Sequence, residues 1–336
     1  MKVGQRLPAA RRGKTLRATP SVTDPLPPPL AERFLALRAA LDATVPAKQL
    51  DRNLLVATWN LRALGGLTEK WRSEEDDEPV RDLFDTRCLA EIVSRFDVVA
   101  VQEVRGNLTA LQTLLTALGP NWATIMTDVT RGKAGNNERM AFAFDLRRVR
   151  PSGLAGELVV AIETGTSVNA TGLDKQFART PYAVSFAADR IQLTLLTLHV
   201  LYGKEEARVS ELREIAAWLA RWAREERHWN QNLIALGDFN IDRRGDPLFD
   251  AFTSTGIEPA PALNLVPRTI FGDAPGKFYD QIAWFVDPRE GPVLSLTASA
   301  AGSFDFVPLL LGDLTKTALS WRISDHYPLW VEFSVR

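Results

Sequence analysis

The residues able to do chemistry in this 336-residue chain stand beside short apolar runs. Leu-Leu-Val-Ala-Thr-Trp runs into Asn60, Val-Val-Ala-Val into Gln102-Glu103, Leu-Leu-Thr-Leu into His199, and Leu-Ile-Ala-Leu-Gly into Asp238-Phe239-Asn240. Tyr279-Asp280 precedes Gln-Ile-Ala-Trp-Phe, and Ser324-Asp325-His326 precedes Tyr-Pro-Leu-Trp-Val-Glu-Phe. One polar residue at the end of an apolar run is a turn cap. Six such places carrying carboxylates, amides and imidazoles read instead as strand ends on a common sheet edge, where a rigid scaffold presents functional side chains. Two of the chain's three histidines stand here; the third, His228, lies in a charged helix end and reads as bland.

Oxygen donors without a cysteine or histidine cluster suit a hard cation such as Mg2+, Mn2+ or Ca2+. Glu103 is the leading ligand candidate. Asn60, Asp238, Asn240 and Asp325 are able to complete the shell, directly or through water. A cation there would neutralise a phosphoryl oxygen and clamp it for in-line attack. A histidine paired with a carboxylate activates water, because the acid fixes the tautomer and stabilises the imidazolium. Asp280 and His326 are candidates for that pair.

These side chains need elements behind them. Residues 54–58, 98–101, 141–144, 191–198 and 233–236 read as buried strands, and 80–96, 108–118 and 205–227 as helices. Asn107 is placed to cap the second helix and Gly119-Pro120 to end it. Residues 182–186 run into 191–198 with no helix between them. That pattern points to mixed or antiparallel sheets with helices outside, not to a purely parallel order. Leu30, Phe34, Leu37, Leu41 and Val45 recur at helical spacing, the mark of an amphipathic helix that packs on the main domain or on a partner.

Nearly half the residues are apolar, with nine Trp and sixteen Phe, so a large core is available. The formal net charge is −1, which supplies no global pull toward a polyanion; any such ligand needs a local patch. A single cysteine, Cys88, excludes an intrachain disulfide and a thiolate metal cluster, and its apolar helical setting makes it a small buried hydrophobe. No apolar run approaches a bilayer span, and the basic N-terminus lacks the apolar core of a secretory signal, so a cytoplasmic location is expected. The chain divides into a basic, proline-rich arm over residues 1–29, a helix and linker over 30–52, and a catalytic domain over 53–336. The acidic run at residues 74–78 reads as a solvated loop. Trp71, Trp218, Trp222 and Trp229 read as packing residues, and residues 132–137 as a loop turn.

Trp59-Asn60-Leu61, Gln102-Glu103, Gly237-Asp238-Phe239-Asn240, Tyr279-Asp280 and Ser324-Asp325-His326-Tyr327-Pro328 stand in the order of the endonuclease/exonuclease/phosphatase superfamily, which the chain resembles over residues 53–336. Within it the details resemble the deoxyribonuclease I branch. Gln102-Glu103-Val104-Arg105 is similar to its metal-binding segment, and Asn137-Glu138-Arg139 to the segment whose Glu pairs with a catalytic His. Arg179-Thr-Pro-Tyr resembles a strand carrying a phosphate-contacting Arg, and Leu198-His199 the strand end with the first catalytic His.

The resemblance implies a four-layer α/β sandwich, two packed mixed β-sheets flanked by helices, and attack of metal-assisted water on a phosphodiester. It implies that Glu103 binds metal with Asn60 nearby, and that Asp238 and Asn240 hold the nucleophile, the phosphate or a second metal. His199 would pair with Glu138 and His326 with Asp280, while Asp325 supports the metal or its waters. Arg105 and Arg179 would contact phosphate. The choice of general base between the two histidines stays open. Asn136 departs from the pattern, standing where deoxyribonuclease I has an aromatic residue for the minor groove.

The substrate expected from this likeness is nucleic acid, with DNA cut to leave 5′-phosphate and 3′-hydroxyl ends. Two rivals remain. The same chemistry serves lipid or small-molecule phosphoesters, in a sphingomyelinase- or inositol-phosphatase-like enzyme, and residues 304–311 are then a candidate membrane-docking element. A catalytically silent scaffold is the other, although no motif residue is missing.

Overall fold

The computed structural model describes residues 19–130, 136–158, 179–224, 232–272, 277–287, 289 and 291–335. The expectations for most of the arm, for the start of the loop at 132–137, and for His228 and Trp229 therefore lie outside the described residues.

In chain order the elements are α1 (Pro28–Thr44), β1 (Asn53–Leu64), α2 (Leu83–Val93), β2 (Val98–Arg105), α3 (Thr109–Leu118), β3 (Trp122–Met126), β4 (Glu138–Asp145), β5 (Arg150–Glu157), β6 (Tyr182–Ala188) and β7 (Ile191–His199). There follow α4 (Glu205–Arg224), β8 (Leu233–Asp238), α5 (Pro247–Thr253), β9 (Ile257–Pro259), β10 (Asp280–Asp287), β11 (Gly291–Pro292), β12 (Thr297–Ser303), α6 (Val307–Leu310), α7 (Lys316–Arg322) and β13 (Leu329–Ser334). The helix expected over residues 80–96 starts later, at Leu83. Asp82 forms a capping box with Asp85, each side chain accepting from the other's backbone N–H.

Alternation along the strands builds three cores. Leu54, Val56, Val98, Ala100 and Phe142 point one way and meet Val184, Phe186, Leu195, Ile234 and Leu236 of a second sheet. Leu55, Ala57, Trp59, Val99 and Val101 point the other way, against α1, α2 and α3. Ala183, Leu196, Leu198 and Ala235 of the second sheet face α4 and α5. Burial on both faces is why these strands read as continuous apolar runs. The layers are helix, sheet, sheet, helix.

The first sheet runs β12-β13-β1-β2-β4-β3 and the second β11-β10-β8-β7-β6-β5, with β9 beside β10. β1 pairs with β2, and β7 with β8, in parallel; the other ladders are antiparallel. The amphipathic helix expected near residues 30–45 is α1, and Leu30, Phe34, Leu37 and Leu41 are buried in the core it shares with α2 and α6.

Candidate active site

The parallel pairs bring the strand ends together. Asn60 lies opposite Gln102 in the first sheet, and His199 opposite Asp238 in the second. Antiparallel pairing sets Asp280 opposite Asp238, and Glu138 opposite Arg105. Gln102 spans the two sheets, donating through Nε2 to Thr58 Oγ1 at 3.1 Å and to Thr197 Oγ1 at 2.9 Å.

Local backbone serves these placements. Gly237 has φ +143°, and a Cβ there would meet Leu198 O at 2.1 Å; only glycine lets β8 approach β7 just before Asp238. β2 carries a bulge between Val101 and Val104, and Glu103 adopts φ 62° inside it. Arg62, Ala63 and Asn240 also have positive φ, at 30°, 52° and 49°. Left-handed backbone at non-glycine residues costs energy and here re-aims side chains at a site.

Asn60 Nδ2 donates to Glu103 Oε1 at 3.0 Å and to Asp238 Oδ2 at 3.1 Å, so one amide joins the two carboxylates. Ala63 N donates to Glu103 Oε2 at 2.9 Å. Burial opposes ionisation of Glu103, but His199, the Asn60 amide and the Ala63 N–H outweigh it and hold the carboxyl below its ordinary value. Asn240 N donates to Asp238 Oδ1 at 3.0 Å, and Asn240 Nδ2 to Val200 O at 2.7 Å.

The two imidazoles approach the same Asp238 oxygen. His326 Nε2 lies 3.8 Å from Asp238 Oδ2, and its Nδ1 lies 2.7 Å from Asp280 Oδ2. His199 Nε2 lies 3.6 Å from the same Asp238 oxygen, with Nδ1 3.3 Å from Glu138 Oε2. Burial of the His326 ring disfavours its charge, yet Asp280 and Asp238 prevail and raise its pKa well above the usual value. Burial pushes Asp280 up to about 6 despite His326 beside it, and its Oδ1 has no hydrogen-bond partner.

Both arginines expected to contact phosphate are turned to Glu138. Arg179 Nε lies 3.1 Å from Glu138 Oε2 and is buried; Arg105 Nη2 lies 3.3 Å from Glu138 Oε1 and stays partly exposed. Asp325 is farther from the carboxylate pair in connectivity. Its partner is Arg62, at 3.2 Å, whose backbone N donates to Asn60 Oδ1. Asn136 accepts from Arg105 through its carbonyl and donates to Glu138 through its amide.

Four neighbours of the candidate site escaped sequence reasoning. Arg81, buried, donates to the carbonyls of Leu61, Arg62, Ala63, Arg322 and Ile323. Arg268, buried, donates to Asp280 O at 2.8 Å and to Val266 and Leu263 carbonyls. Arg208 donates to Asn240 O at 2.6 Å. Glu211 of α4 is pushed by burial up to about 7, against the Leu201 N–H and nearby Arg179 and His199. An arginine or glutamate in sequence reads as surface by default, and no periodicity marks these four. Burial also lowers Arg81 and Arg268 to about 10, which leaves both guanidinium groups charged at neutral pH.

No family model and no curated protein matches the chain. Solved structures do. A mannosyl-6-phosphatase from Bacteroides thetaiotaomicron superposes with TM-score 0.54 at 18% identity, over 83% of this chain and 99% of that one. An endonuclease/exonuclease/phosphatase family protein from the same organism gives 0.53 at 18%, over 84% and 98%. D. rerio TDP2 complexed with single strand DNA product gives 0.51 at 16%, over 84% and 98%. The chain therefore has the endonuclease/exonuclease/phosphatase fold, an α/β sandwich of two mixed sheets flanked by helices.

Proposed function

We propose that the chain is a divalent-metal-dependent phosphodiesterase that cuts nucleic acid, DNA first, leaving 5′-phosphate and 3′-hydroxyl ends. One observation carries the reading: two carboxylate-paired imidazoles approach the same Asp238 oxygen while Asn60 joins Asp238 to Glu103. The donor set is all oxygen and amide, with buried Cys88 elsewhere in the first core. That suits Mg2+ or Mn2+, which needs one or two carboxylates and keeps water, better than Ca2+ with its roughly six to eight oxygens. Glu103 would hold the ion with Asn60 and Asp238 beside it, and Asp325 would support its waters through the Arg62 side of the site. When bound, the ion supplies positive charge to the phosphoryl oxygens.

The chain's own residues account for the proton movements. Asp280 hydrogen-bonds His326 Nδ1 and so holds Nε2 toward Asp238; Glu138 stands beside His199 Nδ1 at 3.3 Å as a charge partner. Water attacks phosphorus, the P–O3′ bond breaks, one imidazole takes the water proton and the other donates to the leaving oxygen. Asn240 fixes Asp238 through its backbone N–H. Arg105, partly exposed beside Glu103 and Glu138, is the side chain we assign to the substrate phosphate; Arg179 keeps Glu138 in place and borders the same anion.

Fold neighbours with a sugar phosphatase and a DNA-bound protein among them leave the substrate class open. Residues 304–311 weigh against a lipid substrate: Phe304, Phe306 and Leu310 are buried in the core under α1. Among the described residues no helix is long and apolar enough to cross a membrane. The test is incubation with plasmid DNA, single-stranded DNA, RNA and sphingomyelin, in Mg2+ and in EDTA. Polynucleotide cleavage that stops in EDTA is expected, and Glu103→Ala or His326→Ala should slow it by about a hundred-fold or more. Hydrolysis of sphingomyelin with every polynucleotide left intact would refute the assignment.

A further inference from the structure

Among the described residues the exposed aromatic side chains are Tyr202, Phe271 and Trp321, at 71%, 51% and 47%. Single exposed apolar residues scattered over a surface need no explanation. Each of these three is linked to the candidate site through one or two neighbouring residues. Trp321 lies on α7, and the Arg62 guanidinium sits over its ring at 4.1 Å. The same guanidinium reaches Asp325 at 3.2 Å, and Arg62 N donates to Asn60. Phe271 follows a segment tied to the site: Ile270 N donates to Asp325 O at 2.9 Å, and Thr269 forms a bridge with His326. Tyr202 follows the strand end at His199, and Arg208, which donates to Asn240 O, lies 5.5 Å from its ring.

Resting on the nuclease reading above, we infer that this aromatic rim, led by Trp321, stacks an unpaired nucleobase beside the scissile phosphate, so that the site takes single-stranded nucleic acid over duplex. A partly exposed indole with a guanidinium over its ring matches a base joined to a phosphate. The exposed part of the ring offers a stacking surface to any base, and the cation over it, held by Asp325 and Ser320, lies beside the neighbouring phosphate. A base inside a duplex has both faces covered by its neighbours and cannot use such a ring without leaving the stack. Duplex binding draws on many phosphate contacts, and a chain of net charge −1 has little excess cation for them. Stacking supplies attraction that does not depend on net charge.

The test compares wild type, Trp321→Ala and Trp321→Phe in Mg2+ on four substrates. These are a DNA strand, an RNA strand of the same sequence, the matching DNA duplex, and a DNA strand with stable abasic sites on both sides of one link. Trp321→Ala should raise KM on base-bearing strands about ten-fold or more with kcat little changed, as expected for one lost stacking contact. Trp321→Phe should keep most of the wild-type KM, the abasic link should be cut equally by wild type and Trp321→Ala, and the duplex should be cut more slowly than either strand. The DNA and RNA arms identify the sugar that accompanies the stacked base. Wild-type KM for Trp321→Ala on base-bearing strands, an equal loss on the abasic link, or faster cutting of duplex overturns the inference and leaves the nuclease reading standing. No cleavage of any polynucleotide by wild type overturns both.

Discussion

Glu211 of α4 is half-buried and feels the charges of Arg179 and His199. Its carboxyl is raised from 4.5 to about 7, burial being the main cause. An acid raised in this way stays protonated in the folded chain where the unfolded chain has already ionised. Folding stability therefore declines as pH climbs from about 4.5 to about 7 and then levels off. Glu211→Gln removes that slope. We expect the variant to exceed wild type by on the order of 2 kcal/mol near pH 8 and to match it near pH 4, read from urea midpoints. Parallel pH profiles for the two proteins would contradict the assignment. Asp145 works in the opposite sense. Burial resists its charge, but Arg147 and Lys48 hold it at about 2, so its contribution is present above the ordinary value of 3.8 and lost as pH falls toward 2.

At the scale of elements, Arg81 joins two segments that carry the site. Its guanidinium donates to Leu61, Arg62 and Ala63 at the end of β1, and to Arg322 and Ile323 at the end of α7. The first segment contains the left-handed turn after Asn60 and the N–H that fixes Glu103; the second leads into Ser324 and His326. Arg81→Met leaves these buried carbonyls without donors, and should cost about 3 kcal/mol in urea unfolding together with a fall in kcat. Arg81→Lys, a compact ammonium unable to span the same fork, should recover only part of both. Full activity and stability in Arg81→Met would show that the strand ends hold themselves. Of this bracket nothing was legible beforehand, because the acceptors are backbone groups from distant segments. The strands themselves were legible. β1, β2, β7 and β8 are apolar runs because both of their faces are covered, whereas β5 and β12, rich in Gly, Ser, Ala and Pro at the sheet edges, carry no alternation to read.

Across the whole molecule the site depends on how two sheets meet. Phe142 of the first sheet is fully buried between them, 5.7 Å from Phe186 and 5.9 Å from Tyr182 by ring centroids. Phe142→Ala leaves a cavity at that junction and should lower stability by about 3–5 kcal/mol in chemical unfolding. A cost below about 1 kcal/mol would mean that the sheets close over the gap and that their spacing is not held there. Asn60 and Glu103 belong to one sheet, and Asp238 and His199 to the other. The contacts from Asn60 to Asp238 and from Glu138 to His199 therefore cross the sandwich and register any change in its spacing.

Sequence alone determined the inventory and its local placement: which carboxylates, amides and imidazoles stand at strand ends, which runs are buried, and that residues near 30–45 form an amphipathic helix. Burial of a short segment leaves its mark on that segment, so a reader of residues can recover it. Tertiary structure decided what those groups touch. It turned Arg179 and Arg105 toward Glu138, put Arg62 between Asn60 and Asp325, buried Phe304, Phe306 and Leu310, and left Trp321 partly exposed. Those outcomes depend on the packing of two twisted sheets and on backbone carbonyls many residues away, and neither is written in the spacing of any one segment.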